Sequence, residues 1–504
     1  MKHALILPIL LPLFTGGLLL VLHQLSLTVK RAISMLACWA LLPIAIWLVL
    51  LAGDGELRTY ALGGWQAPFG IVLVLDRLAA LMLLVNAFLA AFALLYACRG
   101  DDEQGPNFHT LFQFQLLGIN GAFLTGDLFN LFVFFEILLI ASYALLLHGN
   151  SARQVSAGMH YVVLNLLGSS FFLIGISMLY GLTGTLNMAD LAVRVGNADA
   201  GRAPLIAAAG FLLLVVFGLK AAMVPLHLWL PKAYATAPAS VAALFAIMTK
   251  VGIYAILRVF TLIFGSTAGA VANLLDGWLW PLALVTLAIG ILGVLAAREL
   301  RQMLAQLVIV SVGTLLAGIA LGSVQGLSAA LYYLIHSTMV AGGLFLLADL
   351  IVRQRGNEGG RLVLAAALRQ PLLLGSLFFF GAISVIGLPP FSGFLGKLML
   401  LRAVEPGYSA LALWSIVLIG GLGMVVAMSR AGSLLFWRAA YDPKDESIHA
   451  PKSDGLRLLA CIALLSCSLL LVILAKPLQT YIQATAAQLL DLAPYRQIVG
   501  GGNA

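Results

Sequence analysis

Long apolar segments follow one another along almost the whole chain. A helix needs about 20 residues to cross the hydrocarbon core of a bilayer, whereas the strands of membrane barrels alternate apolar with polar residues. The continuous runs therefore predict an all-α, polytopic membrane protein. We expect fourteen transmembrane helices, at Leu5–Leu22, Ile33–Leu51, Leu78–Cys98, Leu111–Thr125, Leu128–Leu147, Met159–Leu179, Leu205–Val224, Ser240–Phe264, Trp278–Ala297, Met303–Leu321, Leu327–Leu350, Leu372–Leu400, Leu411–Phe436 and Leu456–Leu474.

Composition excludes the other broad classes of protein. Hydrophobic residues make up 62% of the 504 residues and charged residues only 10%, against about half and a quarter in soluble domains. The net charge of +8 is not concentrated in a basic cluster with aromatic residues, so we expect no nucleic-acid partner. The four cysteines form no CxxC or Cys/His motif. We therefore expect neither a metal site nor an organic cofactor. We expect membrane lipid to surround the protein.

The distribution of Lys and Arg predicts the orientation in the membrane, because cytoplasmic loops contain an excess of both. Odd-numbered loops contain 16 of these residues, against 7 in the N-terminus, the even loops and the tail. We therefore expect the odd loops in the cytoplasm and both termini on the periplasmic side of a bacterial inner membrane. The odd-loop residues are Lys30, Arg31, Arg99, Arg153, Lys232, Arg298, Arg301, Arg353, Arg355, Arg361, Arg369, Arg430, Arg438, Lys444, Lys452 and Arg457.

The polar stretches between the apolar runs are short. The longest are roughly Gly53–Gly70, Asn187–Pro204, Arg353–Arg369, Tyr441–Leu456 and the tail after Lys476. None is long enough to fold as a domain of its own. The sequence therefore predicts a single membrane domain over residues 1–504.

Ionisable residues within the apolar runs are the most informative feature for function. Each costs about 2.5–3.5 kcal/mol to insert at the centre of a bilayer, so each needs a partner or a role. Five stand out, and they are Glu136, Lys220, Lys250, Arg258 and Lys397.

A glutamate and a lysine on different helices can act as a proton switch. When Glu136 and Lys220 pair, the lysine holds its proton, and when they separate it can pass the proton on. The alternatives are a purely structural ion pair, and a Lys220 side chain that reaches the cytoplasmic interface. Arg258 stays protonated and is expected to have a tuning or structural role. His227 and His336 are possible further relay groups, because histidine titrates near neutrality.

Prolines interrupt two of the apolar runs. Pro225 and Pro231 interrupt the seventh span, and Pro389 and Pro390 interrupt the twelfth. Broken helices at matching positions of two halves are typical of transporters with inverted repeats. We therefore expect spans one to three in about 1–98, a first five-helix repeat in about 108–264, an inverted second repeat in about 274–438, and a last helix and tail in about 455–504.

Three segments together resemble the antiporter-like subunit family, which includes Mrp-type multisubunit cation/proton antiporters and the large membrane subunits of respiratory complex I. Residues 126–137, from Gly126 through Glu136 to Ile137, and residues 219–240, from Leu219 through Lys220, Pro225 and Pro231 to Ser240, resemble the D-type subunits of the Mrp antiporters. The stretch from Gly387 through Pro389 and Pro390 to Lys397 is shared across the whole family.

The resemblance implies a transporter subunit rather than an enzyme, with fourteen helices and broken helices seven and twelve. Glu136 would be the carboxylate paired with Lys220, Lys250 the central relay lysine, and Lys397 the terminal one. The chain would move protons to drive Na⁺ or K⁺ efflux, in a complex with subunits of the A, B, C, E, F and G types. A proton-pumping subunit of a complex I-like or membrane-bound hydrogenase complex, and a passive scaffold, are the alternatives.

Two departures from the family pattern affect the second half of the relay. Many relatives have a lysine where this chain has Ala341. The tenth span, around Leu304–Ser311, lacks the Ser and His residues common in relatives. These differences predict a less polar route, with water bridging the relay between Lys250 and Lys397.

Overall fold

The structure is a computed structural model, and it describes residues 2–437 and 452–499. Arg438 and Lys444 of the basic loop set, the predicted repeat boundary at residue 438 and the end of the tail lie outside these residues. The first half contains helices α1 (Leu7–Val21), α2 (Leu27–Ala52), α3 (Arg77–Ala97), α4 (Phe108–Leu124), α5 (Leu128–Leu146), α6 (Ala152–Thr183), α7 (Met188–Gly196), α8 (Ala203–Ala221), α9 (Trp229–Thr236), α10 (Ala239–Phe245) and α11 (Met248–Leu262). The second half contains α12 (Leu279–Ala296), α13 (Leu300–Ala320), α14 (Val324–Val352), α15 (Pro371–Ile386), α16 (Ser392–Ala403), α17 (Tyr408–Gly432), α18 (Gly455–Ile473), α19 (Ala475–Leu490) and α20 (Leu492–Val499).

The described residues form an almost entirely helical membrane protein, as predicted. Twelve helical segments are long and apolar enough to cross a bilayer, and the pair α10 and α11 together form one of them. The fourth predicted span is the 17-residue helix α4, and the twelfth is divided between α15 and α16. Both fall short of the length of an unbroken span, so the total of fourteen remains a prediction.

Helix α4 is shielded by its neighbours, which explains how so polar a segment lies inside the bundle. Its Gln113 amide donates to Ser34 Oγ at 3.0 Å. Asn120 Nδ2 donates to the Pro8 carbonyl at 2.8 Å, and Asn86 Nδ2 donates to Asn120 Oδ1 at 2.8 Å. Buried amides that are hydrogen-bonded in this way avoid most of the penalty of leaving water.

Several segments taken from the sequence as loop or tail are structured. An antiparallel hairpin joins β1 (Arg58–Ala61) to β2 (Val72–Leu75), so the chain is not wholly helical. Helix α7 falls within the stretch Asn187–Pro204, and Asn187 caps its first turn. The tail forms α19 and α20, and α19 buries Ile482, Ala486 and Leu489. The spacing of these three residues places them on one helical face, a signal that the search for long apolar runs did not detect.

One end of the bundle holds a network of buried carboxylates and odd-loop arginines. Arg31 contacts Asp102 at 2.6 Å, Arg301 contacts Asp349 at 2.9 Å, and Arg353 bridges Asp349 and Asp101 at 2.6 and 3.2 Å. Arg99 and Arg457 join the same region. Basic residues of loops one, three, nine, eleven and thirteen therefore lie on one side.

Asp102 shows how strongly this network is held. Burial opposes its ionisation, but hydrogen bonds from Arg31 and His109 outweigh that effect and keep the pKa of the carboxyl at about 2. The carboxylate is therefore ionised throughout the physiological range. Sequence analysis did not select Asp102 or its neighbour Asp101, because both follow an apolar run rather than interrupt one.

Another buried ion pair lies at the opposite end of α3 from Asp101 and Asp102. Arg258 Nη1 lies 2.6 Å from Asp76 Oδ2, and both side chains are buried. The guanidinium also packs over the rings of Tyr254 and Tyr495, each centroid 5.4 Å away. Because Asp76 also caps α3, this contact ties α3, α11 and the tail helix α20 together.

We predict that Asp76→Asn lowers the stability of the protein. Asparagine can still cap α3, but the Arg258 charge would remain buried without a counterion, which costs about 3–5 kcal/mol. The thermal unfolding midpoint in detergent should fall, and the double variant Asp76→Asn/Arg258→Met should recover most of the loss. Asp54→Asn is the control, because its pair with Arg58 is exposed and such pairs contribute about 1 kcal/mol or less. Equal midpoints for both single variants would contradict this role of the pair.

Candidate functional site

Glu136 and Lys220 both contact helix α6. Ser169 on α6 donates a hydrogen bond to the Glu136 carboxylate from α5. One turn earlier on the same helix, Asn165 Oδ1 accepts a hydrogen bond of 3.3 Å from Lys220 Nζ on α8. Residues four apart lie on the same face of a helix, so α6 presents an acceptor and a donor to the two ionisable groups.

The direct pair implied by the family resemblance is not present in this arrangement. Among the described residues, Glu136 and Lys220 form no ion pair. The turn of α6 that carries Asn165 and Ser169 contacts both groups. Sequence analysis missed Asn165 and Ser169, although their four-residue spacing with Tyr161 on one buried face of α6 was a signal that could have identified them.

The first break in the helices follows Lys220 directly. Helix α8 ends at Ala221, and Ala222 has a left-handed backbone with φ of 61°. Trp229 Nε1 donates to the Leu219 carbonyl at 2.9 Å, and the Val224 amide donates to Thr286 Oγ1 at 3.1 Å. These side chains satisfy backbone groups that the break leaves without helical partners.

The prolines of this segment have different positions. Pro225 lies in the break, as expected. Pro231 lies in the first turn of α9, where a missing N–H does no harm, so the prediction that it interrupts the span is wrong. His227 is partly exposed beside the break, and its Nδ1 has no hydrogen-bond partner among the described residues.

Lys250 is fully buried in the first turn of α11. Its Nζ donates to Ser311 Oγ on α13 at 2.9 Å and to Thr249 Oγ1 at 3.3 Å. A turn at Ala246–Ile247 separates α10 from α11 just before Lys250. This turn contains no proline that would have predicted it from the sequence. Ser311 shows that the tenth span supplies a polar partner for Lys250, although the comparison with the family pattern predicted a less polar route in this half.

Close packing brings the end of α8 against α11. A Cβ on Gly252 would lie only 2.5 Å from the Ala221 amide nitrogen, so only glycine permits this approach. A cavity of about 10 Å³ lies here, lined by Asn165, Lys220 and Gly252 among others. That volume is close to the minimum that a single water molecule needs. The cavity lies between Lys220 and α11, the helix that carries Lys250.

His336 anchors a hydroxyl network in the second half of the bundle. Its Nδ1 lies 2.8 Å from Ser392 Oγ, at the start of α16. Ser392 is 2.9 Å from Ser468 Oγ on α18, and Ser468 is 2.5 Å from Ser384 Oγ on α15. His336 Nε2 is buried and has no partner among the residues that the structure describes. Sequence analysis did not identify the three serines.

Lys397 completes the second break. Its Nζ donates to the Ile386 carbonyl at 2.6 Å and to the Val385 carbonyl at 3.4 Å, which are the last carbonyls of α15. Gly387 ends that helix with φ of 86°, and Pro389 and Pro390 follow before α16 begins. The lysine side chain therefore stabilises the helix end that the prolines create.

Hydrogen bonds among the described residues do not join the candidate relay groups into an unbroken chain. In the described part of the chain, no hydrogen bond connects the Lys250–Ser311 pair with the His336 network. The bridging water predicted for this gap therefore stays a prediction. Arg258 lies apart from these groups in its pair with Asp76.

Buried ionisable groups on broken helices define this chain as an ion-translocating membrane protein of the transporter class. The family model described as "NADH:quinone oxidoreductase/Mrp antiporter, TM" matches residues 125–425. The chain therefore belongs to this family, among the D-type antiporter subunits, as the relatives below show.

Two relatives are similar over almost their whole length. A protein of Rhizobium meliloti, named as the D subunit of a probable K(+)/H(+) antiporter, is 40% identical over 97% of this chain and 96% of its own. The D subunit of a Na(+)/H(+) antiporter of Bacillus subtilis is 37% identical over 99% of each chain. A chain in the Mrp complex of Dietzia sp. DQ12-45-1b has a TM-score of 0.86 at 29% identity, over 99% of this chain and all of its own.

We predict that Ser311→Ala slows proton transfer without unfolding the protein. Loss of the hydroxyl leaves Lys250 with only Thr249 as a side-chain partner, and an unmade buried hydrogen bond costs about 1–3 kcal/mol. Transport in everted vesicles should fall about fivefold or more, since 1.4 kcal/mol equals a factor of 10 in a rate. Ser328→Ala is the matched control, because this buried serine bonds only to a carbonyl of its own helix. Equal rates in both variants would exclude Ser311 from the relay.

Proposed function

We propose that this chain translocates protons through Glu136, Lys220, Lys250 and Lys397, and that this movement drives Na⁺ or K⁺ across the membrane. The chain is a transport subunit of a multisubunit antiporter and not an enzyme. The observation that supports the relay is the position of these groups. All three lysines are buried, and each is held by a polar group of a neighbouring helix or helix end.

The mechanism follows from electrostatics in a poorly hydrated interior. Adding a proton to Glu136 removes the negative charge that acts on Lys220, which then releases its proton more readily. The released proton passes to Lys250 through the small cavity beside Gly252, and each transfer alters the field at the next group. His336 and His227 are further carriers in this proposal.

Other subunits complete the transporter. The relatives are named as D subunits, and we infer partners of the A, B, C, E, F and G types. Na⁺ and K⁺ are both supported, because the relative in Bacillus subtilis is named for Na⁺ and the one in Rhizobium meliloti for K⁺.

A proton-pumping subunit of a redox complex is the second candidate. A chain of the archaeal membrane-bound sulfane sulfur reductase has a TM-score of 0.89 at 26% identity, over 99% of this chain. The 40% and 37% identities to antiporter subunits favour the antiporter. Copurification with redox subunits would decide for the alternative.

We predict that Glu136→Gln abolishes cation-driven proton movement. Glutamine keeps the shape and can still contact Ser169 but cannot exchange a proton. Everted vesicles containing the whole complex should show a loss of more than about tenfold in the change of pH on adding Na⁺ or K⁺, because general acid–base groups contribute about 10²–10⁴-fold. Parallel titration with the two cations identifies the substrate.

The passive-scaffold alternative makes the opposite prediction. Assembled complexes with Glu136→Ala or Lys220→Ala would then transport at the original rate. Assembly is followed by copurification of the other subunits, so that a lost complex is not mistaken for a lost relay. Unchanged transport in both variants would overturn the proposal.

We also propose that the chain forms two inverted five-helix repeats within fourteen spans. Both breaks support this idea. Each begins with a left-handed residue, Ala222 or Gly387, and has a buried lysine close to the freed helix end.

Orientation completes the proposal, with the odd loops in the cytoplasm and both termini in the periplasm of a bacterial inner membrane. The clustering of odd-loop arginines around Asp101, Asp102 and Asp349 supports a single basic side. We predict that a cysteine at Asp54 reacts with an impermeant maleimide in intact cells, whereas one at Lys232, which is also exposed, reacts only after permeabilisation. The reverse pattern would invert the assignment.

A further inference from the structure

A cavity of about 380 Å³ lies between the second break and helix α17. Its volume is within the range of small-molecule sites, about 300–1,000 Å³. Apolar side chains from the break, α16 and α17 form its walls, and Leu388, Leu401, Val417 and Leu422 are among them. Lys397 is the one charged residue in this lining.

Lys397 has no counterion among the described residues. Its two hydrogen bonds go to the neutral carbonyls of Ile386 and Val385, while an ammonium offers three donors. Lys397 as a whole residue is 7% exposed. A buried cation without an anion is costly, and the cavity beside it is where an anion could reach the remaining donor.

The outer wall of the cavity faces away from the bundle. Leu418 and Leu422 on α17 are 58% and 66% exposed. Gly421 lies beside them, and a Cβ added there would meet no heavy atom within 4 Å. An entrance flanked by exposed leucines on a membrane-spanning helix opens toward acyl chains. Ligands would therefore enter from the lipid phase.

We propose that this cavity binds a long-chain fatty acid, with its carboxylate on Lys397 Nζ and its chain against Val417, Leu418 and Leu422. Apolar walls with one cation at the inner end complement a molecule with one anionic end. A phospholipid fits less well, because its headgroup has several polar groups and Lys397 is the one polar side chain in the lining that could pair with them. Building on the proposed function, the bound carboxylate would fix the charge of the last relay lysine and slow transport.

Photolabelling tests the binding without reference to transport. The purified complex in nanodiscs is incubated with a palmitic acid analogue that carries a diazirine, irradiated and digested. Labelled peptides should come from α15 to α17. Gly421→Phe should fill the cavity and reduce labelling about tenfold or more, equal to about 1.4 kcal/mol in binding. Gly181→Phe on α6 is the matched control, because that glycine also has nothing within 4 Å of an added Cβ.

Competitors distinguish the occupants. Unlabelled palmitate should displace the probe, whereas methyl palmitate, which lacks the carboxylate, should not. Equal displacement by the ester would overturn the pairing with Lys397. Equal displacement by phosphatidylglycerol would assign the site to a phospholipid instead, and absence of labelling from α15 to α17 would show that a partner subunit covers the cavity. Each of these three results contradicts the proposal.

A transport measurement then tests regulation. The rate of each variant in everted vesicles with palmitate is divided by its own rate without palmitate. Proton leakage caused by free fatty acid affects the two variants alike, so a difference between them does not come from leakage. Gly421→Phe should need about tenfold more palmitate than the Gly181→Phe control for half inhibition. If the cavity is labelled but the complex transports no protons, the proposed relay is wrong and the binding site stands. If the complex transports protons but the cavity is not labelled, the binding site is wrong and the relay stands.

Discussion

The structure depends on one constraint, that polar groups inside a bilayer must find their partners within the protein. Two of the described spans are broken at segments that contain proline, and each of these breaks leaves carbonyls without helical partners. At the first break the indole of Trp229 binds the Leu219 carbonyl, and at the second the ammonium of Lys397 binds the Ile386 carbonyl. The second solution places a titratable group where the backbone requires a donor. The same lysine therefore satisfies the backbone and is the group that we propose as the last member of the relay.

Sequence alone identified the ionisable residues of the site because their signal needs no context. Glu136, Lys250 and Lys397 interrupt apolar runs, and the insertion penalty makes any such residue exceptional. The same reasoning located the twelve described helical segments that are long and apolar enough to cross a bilayer. It failed where the chain departs from a uniform apolar pattern, as in the hairpin β1–β2 and the amphipathic tail helix α19, whose buried face is visible only at helical spacing.

The polar partners of the proposed relay groups could not be selected in this way. Serine occurs in many apolar helices, where it commonly bonds to its own backbone, so Ser311 and Ser468 look ordinary in the sequence. Their importance comes from residues 61 and 76 positions away, Lys250 and Ser392. The turn before Lys250 contains no proline or glycine and was equally hidden. Likewise, the role of Arg258 was open until its contact with Asp76 defined it.

The separation of Glu136 from Lys220 has a consequence for how a proton could be moved. Two unit charges 4 Å apart attract by about 4 kcal/mol at an effective dielectric constant of 20, and doubling the distance halves that energy. A difference of about 2 kcal/mol changes a protonation equilibrium about thirtyfold. Ser169 and Asn165 hold the two groups one helical turn apart on α6, so any change in the separation of the two charges would change the coupling between them. A direct ion pair would hold the two charges at one distance, whereas here each charged group has its own neutral partner on α6, and a change in their separation exchanges one charge-assisted hydrogen bond for another.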